Sequence, residues 1–216
     1  MTWQQLINDR EGISYQAMLL GGFTLAAAAL LVVGDQVTRG PIAEREAEDL
    51  RASLAEVIPA PLHDNDLLAN PVQLELASGA PPVNVYRGLE GLDVSAVAFE
   101  VVGQGYAGPI RVLLGIGASG QVLGARVLAH AETPGLGDKI ELARDDWIKG
   151  FDGLSLDDPE PDHWAVKKDG GVFDQFSGAT ITPRAVVAAV KGGLETFAEH
   201  RDALTASAVI HAEMSE

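Results

Sequence analysis

Apolar and polar positions divide the chain into one unbroken apolar run near the N-terminus and a long remainder in which they alternate at short periods. Residues 14–33 read SYQAMLLGGFTLAAAALLVV, twenty positions without an Asp, Glu, Lys or Arg. At about 1.5 Å per residue a helix of that length spans roughly 30 Å, the thickness of a bilayer's hydrocarbon core. Gly21 and Gly22 weaken a helix in water but are common in transmembrane helices, and Tyr15 lies where an amphipathic ring suits the headgroup zone. A cleaved signal peptide would carry a basic leader and a shorter apolar stretch, whereas Arg10 is here flanked by Asp9 and Glu11. The pattern predicts an uncleaved transmembrane helix over 14–33 after a short tail at 1–13, in preference to a signal peptide or a buried core helix. Its orientation stays open: Arg39, Arg45 and Arg51 outnumber Arg10 and weakly place the C-terminal bulk in the cytoplasm, but large domains translocate despite a few flanking charges.

Beyond the apolar run the period changes. Residues 40–59 are rich in Ala, Glu, Leu and Arg, with Gly40-Pro41 predicting a helix start and Pro59 its stop. Ile42, Leu50, Leu54 and Val57 partly share one face, so 34–70 reads as a helical connector that ends in a polar stretch at 63–70. Strands are predicted over 83–86 and 94–102. Residues 111–116 and 121–128 flank Gly117-Ala118-Ser119-Gly120, a short glycine-bearing link typical of a hairpin. A short helix is expected over 138–149, with Leu142 and Trp147 facing the core. Thr182 suits an N-cap and Pro183 a first helical residue. The helix they open runs to about His200, with Val186, Val187, Val190, Leu194 and Phe197 at helical spacing. Strands with flanking helices predict an α+β domain over 71–200, built on an antiparallel sheet, and a C-terminal tail at 201–216.

Composition narrows the chemistry. Apolar residues make up 47% and charged residues 21% of the 216 positions, which is ordinary globular usage and excludes wholesale disorder. Fifteen Lys and Arg stand against 31 Asp and Glu, a formal charge of -16. That balance argues against a nucleic-acid partner, whose phosphates need cations. The acidic surface favours a basic partner, although solvated charge is its simplest explanation. The absence of cysteine excludes disulfides, thiol catalysis, Cys-ligated zinc and iron–sulfur clusters. An electron carrier of this composition needs an organic cofactor or a metal held without thiolates.

Three motifs carry candidate chemistry. Gly103-Gln-Gly105-Tyr-Ala-Gly108 matches the dinucleotide pattern, but Pro109 and a strand-like run follow it instead of a helix, so it reads as a turn between strands. His130-Ala131-Glu132 offers too few ligands for a metal site, and His63, His163, His200 and His211 add no ligand spacing; a hydrogen-bonded histidine is the better reading. Just beyond it, Thr133-Pro134-Gly135-Leu136-Gly137 forms a tight loop whose backbone can approach another group closely. Asp174-Gln175-Phe176-Ser177-Gly178-Ala179-Thr180 is neither a serine-hydrolase elbow nor a P-loop, lacking G-x-S-x-G and the Gly-Lys-Ser/Thr ending. It is a small-residue turn bearing hydroxyls before a helix. Either Ser177 and Thr180 cap that helix, or the small Ser177, Gly178 and Ala179 leave room for a phosphate at its N-terminus.

The string Asp174-x-x-Ser177-Gly178-Ala179-Thr180 resembles the flavinylation motif of the FMN-binding domain found in bacterial respiratory electron-transfer complexes. The N-terminal anchor, Gly105-Tyr106-Ala107-Gly108-Pro109-Ile110, the segment from His130 to Gly137, and Trp147 extend the match over most of the chain. The order of these pieces looks most like the G subunits of Rnf ion-translocating electron-transport complexes. The C subunits of Na⁺-translocating NADH:quinone reductases are the near alternative. The resemblance implies FMN held by a phosphoester to Thr180, with Ser177, Gly178 and Ala179 beside it. It implies a Mg²⁺-dependent flavin transferase that reads Asp174, and a loop from Glu132 through Thr133, Pro134, Gly135, Leu136 and Gly137 against the flavin ring. It further implies a component of an ion-translocating oxidoreductase between ferredoxin and NAD, partnered by the other subunits and membrane lipid. The soluble domain would then stand on the periplasmic side of the inner membrane, against the weak arginine count. A cofactor-free anchored binding or assembly module, and a free-standing flavoprotein reductase, are the other readings that the residues leave open.

Overall fold

The computed structural model describes residues 13–75 and 82–206. Most of the tail expected at 1–13, and the expected C-terminal tail from 207 with His211, lie outside the described residues. The chain divides into two units, one up to Asp49 and one from Leu50 onward. A 45-residue helix, α1 (Ile13–Val57), carries the apolar run. Leu20, Phe23, Leu25, Leu30 and Leu31 in that run each expose two thirds or more of their surface, so the run is not a buried core segment. It is long and apolar enough to cross a membrane.

The expected start at Gly40-Pro41 does not occur, because α1 runs through Pro41. A proline inside a helix forfeits the one bond that its N–H would make and crowds the preceding turn. The flanking Ala, Glu and Arg are strong helix formers and carry the helix past it, with i,i+4 and i,i+3 pairs Asp35–Arg39 and Arg45–Glu48 on either side. The stop comes at Val57, two residues before Pro59.

From Leu50 onward the chain builds a five-stranded antiparallel meander: β1 (Val72–Leu74), β2 (Val83–Glu90), β3 (Asp93–Gln104), β4 (Pro109–Gly117) and β5 (Val122–Ala129), in that spatial order. The expected strands and the β4–β5 hairpin are present; β2, β3 and β4 extend beyond the reading from sequence, and β5 is displaced from it by one residue. β1 went unforeseen, since three residues at a sheet edge are too few to show a period. Strand alternation then sorts the side chains. Val97 and Phe99 of β3, with Val112, Leu114 and Ile116 of β4, enter one core, whereas Ala96, Ala98 and Leu113 enter another.

Helix α2 (Ile181–Glu199) covers the first face with Val186, Val187, Val190, Leu194 and Phe197, all buried. A short turn, α3 (Arg201–Leu204), follows and buries Leu204 in the same core. On the opposite face Leu54 and Val57 of α1, and Ile58 just after it, are fully buried. Gly115 and Gly124 face each other across β4 and β5. A Cβ at Gly115 would collide with the Val57 carbonyl, and one at Gly124 would lie 3.1 Å from the Glu56 carbonyl. These two glycines let the end of α1 rest directly on the sheet.

The helix expected over 138–149 is replaced by two 3-10 turns, Asp138–Ile140 and Asp146–Phe151. Between them Asp145 is extended and its carboxylate accepts the Trp147 amide at 2.9 Å, capping the second turn. That local bond outcompetes a continuous helix. Leu142 and Trp147 nevertheless pack against the core as expected.

Candidate functional site

The site is assembled from three segments far apart in sequence. First is the β3–β4 turn at 105–108, closed by the Gly105 amide on the Gly108 carbonyl at 2.9 Å. The dinucleotide-like string is thus a turn between strands, and it presents Tyr106 with 74% of its surface exposed. Second is the loop after β5, where the amides of Leu136 and Gly137 both donate to the Thr133 carbonyl at 3.1 Å. Gly135 sits at φ 79° and its amide donates to Asp138 Oδ1 at 2.8 Å. Third is the turn into α2. The Ala179 amide donates to the Phe176 carbonyl at 3.1 Å, with Gly178 at φ 82°, a conformation that glycine adopts without strain.

Tyr106, Glu132, Thr133, Leu136, Gly137 and the stretch from Gly178 to Thr182 line one cavity of about 570 Å³. That lies within the roughly 300–1,000 Å³ of small-molecule sites. Tyr106, Leu136 and Ile181 give it an exposed apolar rim. The sequence-derived candidates Glu132, Thr133, Leu136, Gly137, Gly178, Ala179 and Thr180 thus share a wall. Ser177, Pro134 and Gly135 are exposed neighbours that do not line it.

The start of α2 differs from expectation in a useful way. Thr180, not Thr182, is the N-cap residue; it has helical φ and ψ of -69° and -25°, and its side chain makes no capping hydrogen bond. Its hydroxyl is therefore not spent on the helix. Ile181 and Thr182 are the first helical residues, whose amides lack intrahelical acceptors. Pro183 follows with no amide to satisfy. Thr182 is fully buried and its hydroxyl donates to Glu132 Oε2.

Asp174 stands outside the cavity. Lys167 Nζ lies 2.7 Å from its carboxylate, and the Trp147 indole donates to its carbonyl at 2.8 Å. Trp147 also packs edge-on to Phe176 with centroids 5.2 Å apart, so the segment before the turn is fixed from both sides. Arg184, one turn into α2, makes a two-point pair with Asp169 at 2.5 and 2.6 Å. The guanidinium holds the Asp169 carboxyl below its ordinary range, and Asp169 raises Arg184 in return. His130 is a hydrogen-bonded histidine, as read from sequence: its Nδ1 accepts the Glu132 amide at 3.0 Å, which leaves Nε2–H to donate to Glu141 at 2.6 Å.

Tyr106, Ile181 and Thr182 were not singled out as wall residues from sequence. The available signals were the glycine-rich turn at 105–108 and the Thr-Pro pair, both read only as local structure. A second groove of about 680 Å³ includes Glu56, Arg126, His130 and Glu141 in its lining. Its charged groups are spent on one another, Arg126 on Glu56 and His130 on Glu141. The first cavity, unlike this groove, combines an apolar rim, a helix start and an uncommitted hydroxyl.

Residues 105–195 match the FMN-binding domain family. Over 88% of its length the chain is 58% identical to a Cereibacter sphaeroides protein, the G subunit of an ion-translocating oxidoreductase complex, 86% of which is covered. Its counterpart in Stutzerimonas stutzeri is 48% identical, over 86% of this chain and 81% of that protein. In Pseudomonas aeruginosa the figures are 43%, 91% and 94%. Among solved structures, the crystal structure of Shewanella oneidensis NqrC is similar with a TM-score of 0.45 and 22% identity, over 71% of this chain and 76% of that one.

Proposed function

The chain belongs to the family of G subunits of ion-translocating oxidoreductase complexes, and we propose that it carries FMN through a phosphoester to Thr180 Oγ1. It is a membrane-anchored flavoprotein component of a multi-subunit redox complex. The observation that carries the covalent reading is the Thr180 hydroxyl, on the cavity wall and free of any capping bond. The residues fit the group: the amides at the start of α2 and the helix dipole favour a phosphate beside Thr180, and the apolar rim suits a ring. FMN supplies one- and two-electron transfer, the redox chemistry being the cofactor's own.

The chain's residues do the rest. Gly178 turns the backbone so that residues 178–180 reach the cavity, and Tyr106, Leu136 and Ile181 shield one side of it. Tethering retains the cofactor where no pool of free FMN would refill the site. In forming the tether, the phosphoanhydride of FAD breaks, a phosphorus–oxygen bond to Thr180 Oγ1 forms, and AMP and the hydroxyl proton leave. A Mg²⁺-dependent flavin transferase performs this step and recognises Asp174 at the surface, outside the cavity. The complex couples electron flow between ferredoxin and NAD to ion movement as a translocase. The domain faces the periplasm from an inner-membrane helix in contact with lipid.

Intact mass of the denatured chain, made in cells with the transferase, tests the tether. The expected result is one added FMN phosphoester, lost in Thr180→Val with the fold retained and reduced in Asp174→Ala when transferase is limiting. Wild-type protein weighing no more than its amino acids would refute the covalent reading.

A further inference from the structure

The cavity is built around a carboxylate that tethering does not require. Glu132 exposes only 5% of its surface. Its Oε1 accepts the Ala107 amide at 2.9 Å and its Oε2 accepts the Thr182 hydroxyl. Donors on both oxygens match a carboxylate acting purely as acceptor. No ion pair among the described residues includes it. A buried carboxylate held by neutral donors alone is costly.

The chain makes specific room for this group. A Cβ on Gly105 would overlap Glu132 Oε1, and one on Gly137 would lie 2.9 Å from Oε2, from Glu132 Cβ and from Thr182 Oγ1. Gly137 has an ordinary φ of -87°, so it is glycine for space, not for backbone conformation. The Glu132 amide is held as well, by His130 Nδ1 at 3.0 Å. The turn at 105–108, the loop at 132–137 and the first turn of α2 therefore meet at one carboxylate. Each contributes one side chain to the apolar rim: Tyr106, Leu136 and Ile181.

We infer that Glu132 is the positioning residue of the cofactor cavity, pinning its three segments together, and that its negative charge holds the reduction potential of the bound flavin down. The inference rests on the cavity being the FMN site. Adding an electron beside a fixed negative charge is disfavoured, and the low-polarity interior leaves that charge weakly screened. Charge close to the ring is one of the few levers that a protein has over flavin electronics.

Replacement by glutamine separates the two roles. In Glu132→Gln the amide oxygen accepts the Ala107 amide and the amide nitrogen donates to Thr182 Oγ1, so the hydrogen bonds survive and the charge is lost. Glu132→Ala removes both, whereas Thr182→Val removes one bond and keeps the charge. The full-length chain and these variants, made with flavin transferase, are compared by intact mass and by spectroelectrochemical titration of the flavin. The same chains made without transferase are compared by melting, to confirm that each variant folds.

At the wild-type midpoint potential, Glu132→Gln is expected to show a reduced-to-oxidised flavin ratio about tenfold higher than wild type, an upward shift of about 30 mV for a two-electron couple. Flavin loading falls in Glu132→Ala and is rescued in Glu132→Gln. Thr182→Val keeps a potential near that of wild type. An unmoved potential in Glu132→Gln, or an equal rise in Thr182→Val, overturns the role of the charge. Wild-type loading in Glu132→Ala overturns the positioning role. Wild-type chain without any flavin overturns the cofactor reading itself, a result distinct from flavin bound at an unchanged potential.

Discussion

At the scale of single residues, the site depends on where side chains are missing as much as on where they are present. Gly137→Ala would push a methyl into Glu132 and Thr182. Overpacking of this kind costs about 1–3 kcal/mol, so chemical denaturation should show a loss of that size together with reduced flavin content. Arg184 and Asp169 supply a pH signature. Asp169 is depressed by Arg184, so the pair's stabilisation is present above the ordinary carboxylate pKa of about 3.9. It is lost as pH falls through the lowered value. Arg184→Ala should therefore return the Asp169 titration, followed by NMR, to the ordinary range. Its stability deficit, small for so exposed a pair, should be seen at pH 6 and vanish at strongly acid pH. A deficit that persists unchanged in acid would show that Arg184 stabilises by packing instead.

At the scale of elements, the last two turns of α1 belong to the domain as core. Leu54, Val57 and Ile58 are fully buried against the sheet, and burying each such side chain is worth about 1.5–3 kcal/mol. A truncated form beginning at Leu50 should fold. One beginning at Pro59 should lose about 5 kcal/mol or more, comparable to the whole stability of a small domain, and fail to give a cooperative melt. Gly115→Val tests the same junction from the sheet side, since its Cβ would meet the Val57 carbonyl. The expected outcome is a melting temperature lowered by several degrees with the flavin cavity chemically intact.

At the scale of the whole molecule, the exposed apolar run of α1 and the folded domain from Leu50 should separate by solubility. The full chain should remain in the membrane pellet after alkaline carbonate, and the form beginning at Leu50 should appear in the supernatant. Much of this organisation was legible in the sequence. A twenty-residue stretch without charge, strand-like apolar runs in β3 and β4, the glycine-bearing link of the β4–β5 hairpin, and helical spacing from Val186 to Phe197 are local patterns that can be read from neighbouring residues alone. The Thr180 turn was legible too, because small residues and hydroxyls before a helix make a recognisable string. Pro41 and the 138–149 stretch were misread because breaker and capping signals are outweighed by neighbours: strong helix formers in one case, the Asp145 side chain in the other. What only the tertiary structure decided is that Ala107, Glu132 and Thr182 meet. Twenty-five residues separate the first two and fifty the last two, and no local period links them. Only the pairing of β3, β4 and β5, with α2 laid across them, brings a turn, a loop and a helix start to one point. There a buried carboxylate must find its donors within the protein, because water has been excluded.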